Sequence, residues 1–284
     1  MRVFIFGIDA LDYNLVKKWN LKGFKQKEYK KVVIPKEIEL LSTPALWATI
    51  ITGQLPEKHG IRSGWYVGKY KHPFISKIRL LIKKMNMDKE VHKMLMSSKI
   101  LNKVLTKVIQ KRRIKQEFKL NCPTIFDFCK SIHIGVPSYD ELPELAYDIV
   151  KKQFEVFDGE MSKLSWEKLV RLRFEKSKKA MFKRINENWD LFMVYFAVLD
   201  HIQHVYFNDL EYIKKYYKEV EELVKKVKKR LPKNTLVLIL SDHGMKRGIH
   251  ARYAFYSSNV KLGLKRPKLT DFYKLIEDKV LASA

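Results

Sequence analysis

Three short apolar runs in this chain each end on an acid: "VFIFGI" (3–8) is followed by Asp9, "LFMVYFAVL" (191–199) by Asp200, and "TLVLILS" (235–241) by Asp242. An apolar run with no polar alternation is what a strand buried on both faces needs, and both-face burial is the habit of parallel sheets covered by helices. "KVVI" (31–34) has the same character, and "IHIGVP" (132–137) reads as a fifth strand. Between the runs, 142–155, 165–186 and 209–230 read as helices, the last with apolar residues at helical spacing. The alternation implies an α/β fold with a doubly wound, mostly parallel sheet flanked by helices. In such sheets ligands gather beyond the carboxyl ends of the strands, where the three acids stand.

The 284 residues suffice for one large core plus a smaller insertion. Apolar residues at 46% and aromatics at 12% exclude a disordered chain. The formal charge of +26 favours phosphate-bearing partners, whether nucleic acid, anionic lipid or a phosphorylated small molecule, although lysine-rich proteomes also carry such charge without a polyanion partner. Much of it falls in 69–119, where about sixteen Lys and Arg face about three acids. There Ile100, Leu101, Val104, Leu105, Val108 and Ile109 form an apolar stripe beside Lys99, Lys103, Lys107 and Lys111. That segment reads as an inserted basic helical cap, either packed on the core or binding an anionic surface, with 1–68 and 120–284 as the catalytic core. Cys122 and Cys129 fit neither a disulfide framework nor a zinc ribbon and read as small buried packing residues. The N-terminus reads as a strand, not a signal peptide, and no window is apolar for the length of a bilayer crossing, so a cytoplasmic protein is expected.

The chemistry-bearing residues follow the strands. Asp200 and His204 in "DHIQH" are four apart, on one face of a helical turn, while His201 points elsewhere and reads as a packing or supporting residue. "LVLILSDHGMKRGIH" adds Asp242, His243 and, seven residues on, His250. Carboxylate with imidazole suits Zn²⁺ or Mn²⁺, although Asp-His-Gly is also a plain polar turn. In "STPALWATIITG" Pro44 marks a helix start and makes Thr43 the N-cap. A hydroxyl there is either a simple cap or a nucleophile beside the positive end of a helix dipole.

Taken in order, Asp9 in "GIDALD", Thr43 in "TPALWATIITGQLPEKHGI", Asp200 and His204 in "DHIQH", Asp242 and His243 in "SDHGM", and His250 resemble the metal-site set of the alkaline phosphatase superfamily. The branch resembled is the type I phosphodiesterase/nucleotide pyrophosphatase family. The resemblance implies two divalent ions, zinc or manganese, one on Asp200, His204 and His250 and the other on Asp9, Asp242 and His243. Thr43 would be both a ligand of the second ion and the nucleophile that forms a covalent phospho-enzyme. It implies a phosphodiesterase acting on a small phosphodiester or nucleotide. A phosphomonoesterase of the same superfamily, or a protein binding nucleic acid or an anionic membrane surface through the cap, are the alternatives. Sulfatase is excluded, because no Cys or Ser stands in a Cys-x-Pro-x-Arg context, and phosphoglycerate mutase is disfavoured, because the Asn-Ser dipeptide its nucleophile needs is missing. The chain departs from the family at Gly64, where the diesterases place an Asn, and at His250, which lies closer to "SDHG" than in larger members. Ser42 adjoins Thr43, and the spacing to Thr52-Gly53 favours Thr43 as nucleophile. Trp65 and Tyr66 could wall the second ester arm. His59 reads as a turn residue, and His72, His92 and His133 as surface or core histidines.

Overall fold

The computed structural model describes residues 1–62, 120–141 and 143–282. The expected cap, together with Gly64, Trp65, Tyr66, His72 and His92, lies outside the described residues. Among the described residues six strands form one sheet, in the order β2 (Glu28–Val33), β8 (Tyr253–Ser258), β5 (Leu236–Ser241), β1 (Val3–Ile8), β4 (Leu191–Phe196) and β3 (Ser131–Ile134). The parallel centre comprises β1 (Val3–Ile8), β3 (Ser131–Ile134), β4 (Leu191–Phe196) and β5 (Leu236–Ser241). β1, β4 and β5 are buried along their whole length, as their unbroken apolar runs require.

β2 departs from the expectation. It spans Glu28–Val33, is only half buried, and pairs antiparallel with β8 (Tyr253–Ser258), which in turn runs antiparallel to β5. An edge strand needs one covered face, so Glu28, Tyr29 and Lys30 are tolerated there. The run at 191–198 also divides: the strand stops at Phe196 and a helix starts at Val198.

Helices cover both faces. On one side Phe4, Phe6 and Ile8 of β1 pack with Phe192, Val194 and Phe196 of β4 against helices α4 (Pro143–Phe157), α5 (Lys163–Arg184), α6 (Val198–Val205) and α7 (Leu210–Lys228). On the other side Val3, Ile5, Met193, Tyr195, Leu238 and Leu240 meet Trp47 and Ile50 of α2 (Thr43–Thr52) and Phe272 and Ile276 of α8 (Asp271–Leu281). Two further short helices among the described residues are α1 (Tyr13–Lys18) and α3 (Pro56–His59). The period-2 alternation along each strand thus divides the apolar side chains between two cores. Cys122 and Cys129 are half-buried and not enclosed. Burial, then the Asp190 carboxylate, pushes the Cys129 thiol up to about 11.

Beyond the carboxyl edge a separate hairpin forms from β6 (Gly244–Lys246) and β7 (Ile249–Ala251), with Met245 opposite His250. Its two-residue turn, Arg247 and Gly248, has φ of 51° and 75°. Two successive left-handed residues match the twist of a tight hairpin, and glycine takes the second at no steric cost.

Candidate metal centre

Every candidate residue stands on the carboxyl edge of the parallel strands. Asp9 follows β1 directly, its N–H bonded to the Phe196 carbonyl of β4 at 3.0 Å. Ala10 then takes a left-handed turn, φ 53°, and its carbonyl accepts from Gln203 Nε2 at 2.9 Å and from the Tyr217 hydroxyl at 3.2 Å. Asp200 lies in the first turn of α6 and His204 one turn later. Asp242 and His243 follow β5, and His250 sits on β7. Thr43 opens α2.

The helix begins one residue earlier than expected. Ser42 is the N-cap, with extended backbone (φ −108°, ψ 123°), and its carbonyl accepts the first helical bond from Leu46 at 2.9 Å. Proline lacks the N–H that the second helical position leaves unpaired just as the first does, so Pro44 fits one position further in. Thr43 remains beside the positive end of the helix.

Three histidines are oriented alike. His204 Nδ1 contacts Gly248 O at 2.8 Å, His243 Nδ1 contacts Gly244 O at 3.0 Å, and His250 Nδ1 contacts Leu41 O at 2.9 Å. A carbonyl only accepts, so in each ring Nδ1 carries a proton and Nε2 is the nitrogen turned inward. The inward groups crowd. His204 Nε2 lies 3.2 Å and His250 Nε2 3.4 Å from Asp200 Oδ1, and the two Nε2 atoms are 3.0 Å apart. His243 Nε2 lies 3.2 Å from Asp9 Oδ1, 3.5 Å from Asp242 Oδ2 and 3.9 Å from Asp200 Oδ1. Thr43 Oγ1 donates to Asp9 Oδ2 at 3.4 Å.

Two clusters of donor atoms result, each within 4.8 Å: Asp200–His204–His250 and Asp9–Asp200–His243. The first has the composition expected from sequence. In the second Asp200 stands where Asp242 was expected, and Asp242 joins through His243. Asp9 Oδ1, Asp200 Oδ1, both Asp242 oxygens and His243 Nε2 are buried without a hydrogen-bond partner. Buried oxygen and nitrogen lone pairs converging on one another are costly unless cations lie between them, so the donor set fits divalent metal ions.

The model of the type I phosphodiesterase/nucleotide pyrophosphatase family matches residues 3–259. The chain belongs to that family. No curated protein matches the sequence. Among solved structures, murine ectonucleotide pyrophosphatase/phosphodiesterase 5 is similar at 14% identity over 87% of this chain and 58% of its own, with a TM-score of 0.49. Phosphonoacetate hydrolase from Sinorhizobium meliloti is similar at 11% identity over 86% of this chain and 56% of its own, TM-score 0.43. The PH0037 protein from Pyrococcus horikoshii shares 10% identity over 100% of this chain and 98% of its own, TM-score 0.53, a likeness of fold along both chains. This family member thus spans 58% of the length of the murine protein.

The protonation pattern of this phosphodiesterase-family centre follows from its crowding. Burial, then the Asp9 carboxylate, pushes Asp242 well above the usual carboxylate range. Burial also opposes the charge of Asp200, but the His204 and His250 imidazoles hold its pKa well below that range. Burial works against the His204 and His243 cations, yet Asp200 and Asp242 respectively raise them above an ordinary histidine. Protons thus supply part of the positive charge that the carboxylates demand.

Two neighbours escaped the sequence reading. The Tyr195 hydroxyl donates to Asp9 Oδ2 at 2.5 Å, which leaves Asp9 Oδ1 facing His243. Burial, then the Asp9 charge, raises Tyr195 far above an ordinary phenol, so it stays a donor. A hydroxyl on a strand otherwise apolar along both faces was the available signal. Arg173 of α5 pairs with Glu141, stacks over the Tyr195 ring at 5.7 Å and reaches His201 Nε2 at 3.4 Å. Since Arg only donates, His201 carries its proton on Nδ1, 3.9 Å from Asp200 Oδ2. His201 therefore backs the site, as expected, and burial pulls its pKa down to about 4. His59 ends α3 with its ring fully buried against the Thr49 hydroxyl at 3.1 Å, and His133 pairs with Asp140 at 2.9 Å. Among the described residues no helix is long and apolar enough to cross a membrane.

Proposed function

We propose that this protein hydrolyses a phosphodiester of small-molecule or nucleotide type, with Thr43 as covalent nucleophile. The observation that carries the reading is the set of unpartnered buried donors from Asp9, Asp200, Asp242 and His243 around a threonine hydroxyl that contacts Asp9. Asp200, His204 and His250 would hold one divalent cation, zinc or manganese, and Asp9, Asp242, His243 and Thr43 the other; bound there, the pair stabilises negative charge on the attacking and leaving oxygens.

The chain's own residues perform the rest. Thr43 points its proton at Asp9 Oδ2, and Tyr195, donating to the same oxygen, keeps that carboxylate from turning away. As the Oγ–phosphorus bond forms, the Thr43 proton passes to solvent, the bond from phosphorus to one ester oxygen breaks, and that oxygen leaves with the bonding pair and takes up a proton from water to become the alcohol. Thr43 opens α2, so a phosphoryl group on its hydroxyl would sit at the helix N-terminus, which favours its charge. Water then attacks the phosphothreonine: its oxygen bonds to phosphorus, the Oγ–phosphorus bond breaks with its electron pair returning to Oγ, and a proton released by the water restores the Thr43 hydroxyl. The net charge of +26 favours approach of an anionic substrate.

Turnover of bis-p-nitrophenyl phosphate and of p-nitrophenyl phosphate, with and without chelator, in wild type and Thr43→Ala, tests the reading. The expected result is diester turnover that exceeds monoester turnover and is lost on chelation and in the variant. Diester turnover that survives both treatments overturns it, and a dominant monoesterase activity would move the substrate class to phosphomonoesters.

A further inference from the structure

The centre depends on a small element. His250 rides on a hairpin of three-residue strands that forms a sheet of its own, while Asp9, Asp242 and His243 follow strands of the main sheet. The hairpin turn also supplies the Gly248 carbonyl that orients His204. A shift of this hairpin by one ångström would displace His250 and release His204, two donors of the same cluster.

We propose that Asp12 is the positioning residue that fastens the hairpin to the loop after β1, and so sets where His250 and His204 stand relative to Asp200. Asp12 is 1% exposed, yet all its bonding capacity is directed. Its Oδ1 caps α1, accepting from Asn14 N at 2.7 Å and Leu15 N at 3.0 Å. Its Oδ2 accepts from Met245 N at 3.1 Å and from the Tyr253 hydroxyl at 2.6 Å. Met245 lies on β6 directly opposite His250, and Tyr253 opens β8 just past the hairpin. One carboxylate oxygen therefore grips the hairpin at its entry and just beyond its exit.

The grip is reinforced. Asn14 Nδ2 donates to the Tyr253 hydroxyl at 2.7 Å, which leaves that hydroxyl to donate its own proton to Asp12. Lys31 Nζ stands 4.3 Å over the Tyr253 ring. The Asp12 N–H donates to the Tyr217 hydroxyl at 3.0 Å, which ties the same loop to α7. Gly244 is obligatory at this point, because a Cβ there would fall 2.7 Å from Asp12 Oδ2 and 2.6 Å from the Tyr253 ring. Through this clamp, a histidine only seven residues past His243 reaches the other donor cluster.

The inference rests on the two-cation reading of the centre. Zinc titration of the metal-stripped full-length protein by calorimetry tests it, in wild type, Asp12→Asn and Tyr253→Phe. Wild type is expected to bind two ions. In both variants one ion keeps nearly its full affinity while the other, on Asp200, His204 and His250, weakens by about ten- to a hundredfold, the usual cost of losing a ligand's support. Equal affinities in variants and wild type would overturn the clamp, and so would an equal weakening of both ions in variants whose circular dichroism is native. If Asp12→Asn does not fold, because its amide nitrogen would face the Met245 N–H in place of an acceptor, Tyr253→Phe carries the same test, since the ring and the α1 cap are both retained. Wild type binding no zinc would sink the two-cation reading itself, a result distinct from two ions held equally well by all three proteins.

Discussion

Asp242→Asn should flatten the pH dependence of stability in chelated protein while removing a proposed cation ligand. Asp242 is 0% exposed and neither oxygen has a hydrogen-bond partner. Burial, then the Asp9 charge, raises its pKa well above 3.8. A carboxyl raised in the folded state contributes its full stability below the unfolded value, and that contribution is lost as pH climbs through the folded value. Within that window, wild type loses about 1.4 kcal/mol for each pH unit on account of this group. Asparagine cannot titrate, so the loss disappears. The raised His243 pKa, which Asp242 sustains against burial, would relax in the same variant and remove a second loss above the ordinary 6.5. The buried amide still lacks partners, at a cost of about 1–3 kcal/mol that shifts the height of the curve and not its slope. Urea unfolding in chelator from about pH 5 to about pH 7 should therefore give a shallower line for the variant. With zinc at a hundredfold over its dissociation constant, wild type gains about 2.7 kcal/mol per ion, and the variant falls short of this. Equal slopes in chelator, or undiminished zinc stabilisation in the variant, would refute the reasoning.

Tyr195→Phe removes one of two donors to Asp9 Oδ2, and kcat for diester turnover should drop by about tenfold or more with unfolding unchanged in chelator. Zinc affinity should weaken as pH falls through the raised values of His204 and His243, because each must lose its proton to bind; calorimetry should find up to about a tenfold change per pH unit for each proton displaced. Trp47→Ala, which empties a fully buried site between α2 and β1, should cost about 3–5 kcal/mol of stability in denaturant titrations.

The sheet's centre was legible because both-face burial leaves no room for polar residues, so β1, β4 and β5 announce themselves as unbroken apolar runs. α7 was legible from its spacing. β2 was read short because Glu28 is stabilised from afar: it accepts from the Tyr256 hydroxyl and from the N–H groups of Leu262, Gly263 and Leu264, none of them near in sequence. β6 and β7 are too short for any periodicity to register, which is why the route by which His250 reaches Asp200 had to come from structure. Pro44 satisfies either of the first two helical positions, which explains the one-residue displacement of the cap. Tyr195, Arg173 and Asp12 act through neighbours from other elements, and sequence spacing carries no trace of such contacts.

In the proposed centre seven side chains, Asp9, Thr43, Asp200, His204, Asp242, His243 and His250, would enclose a pair of divalent cations. Anomalous diffraction at the zinc edge from crystals grown with zinc tests it most directly. Two peaks inside this ring of residues, one against His204 and His250 and the other against His243 and Thr43, is the result expected. Zinc elsewhere on the surface with none in the ring, or a single peak with Asp242 and His243 uninvolved, would contradict it.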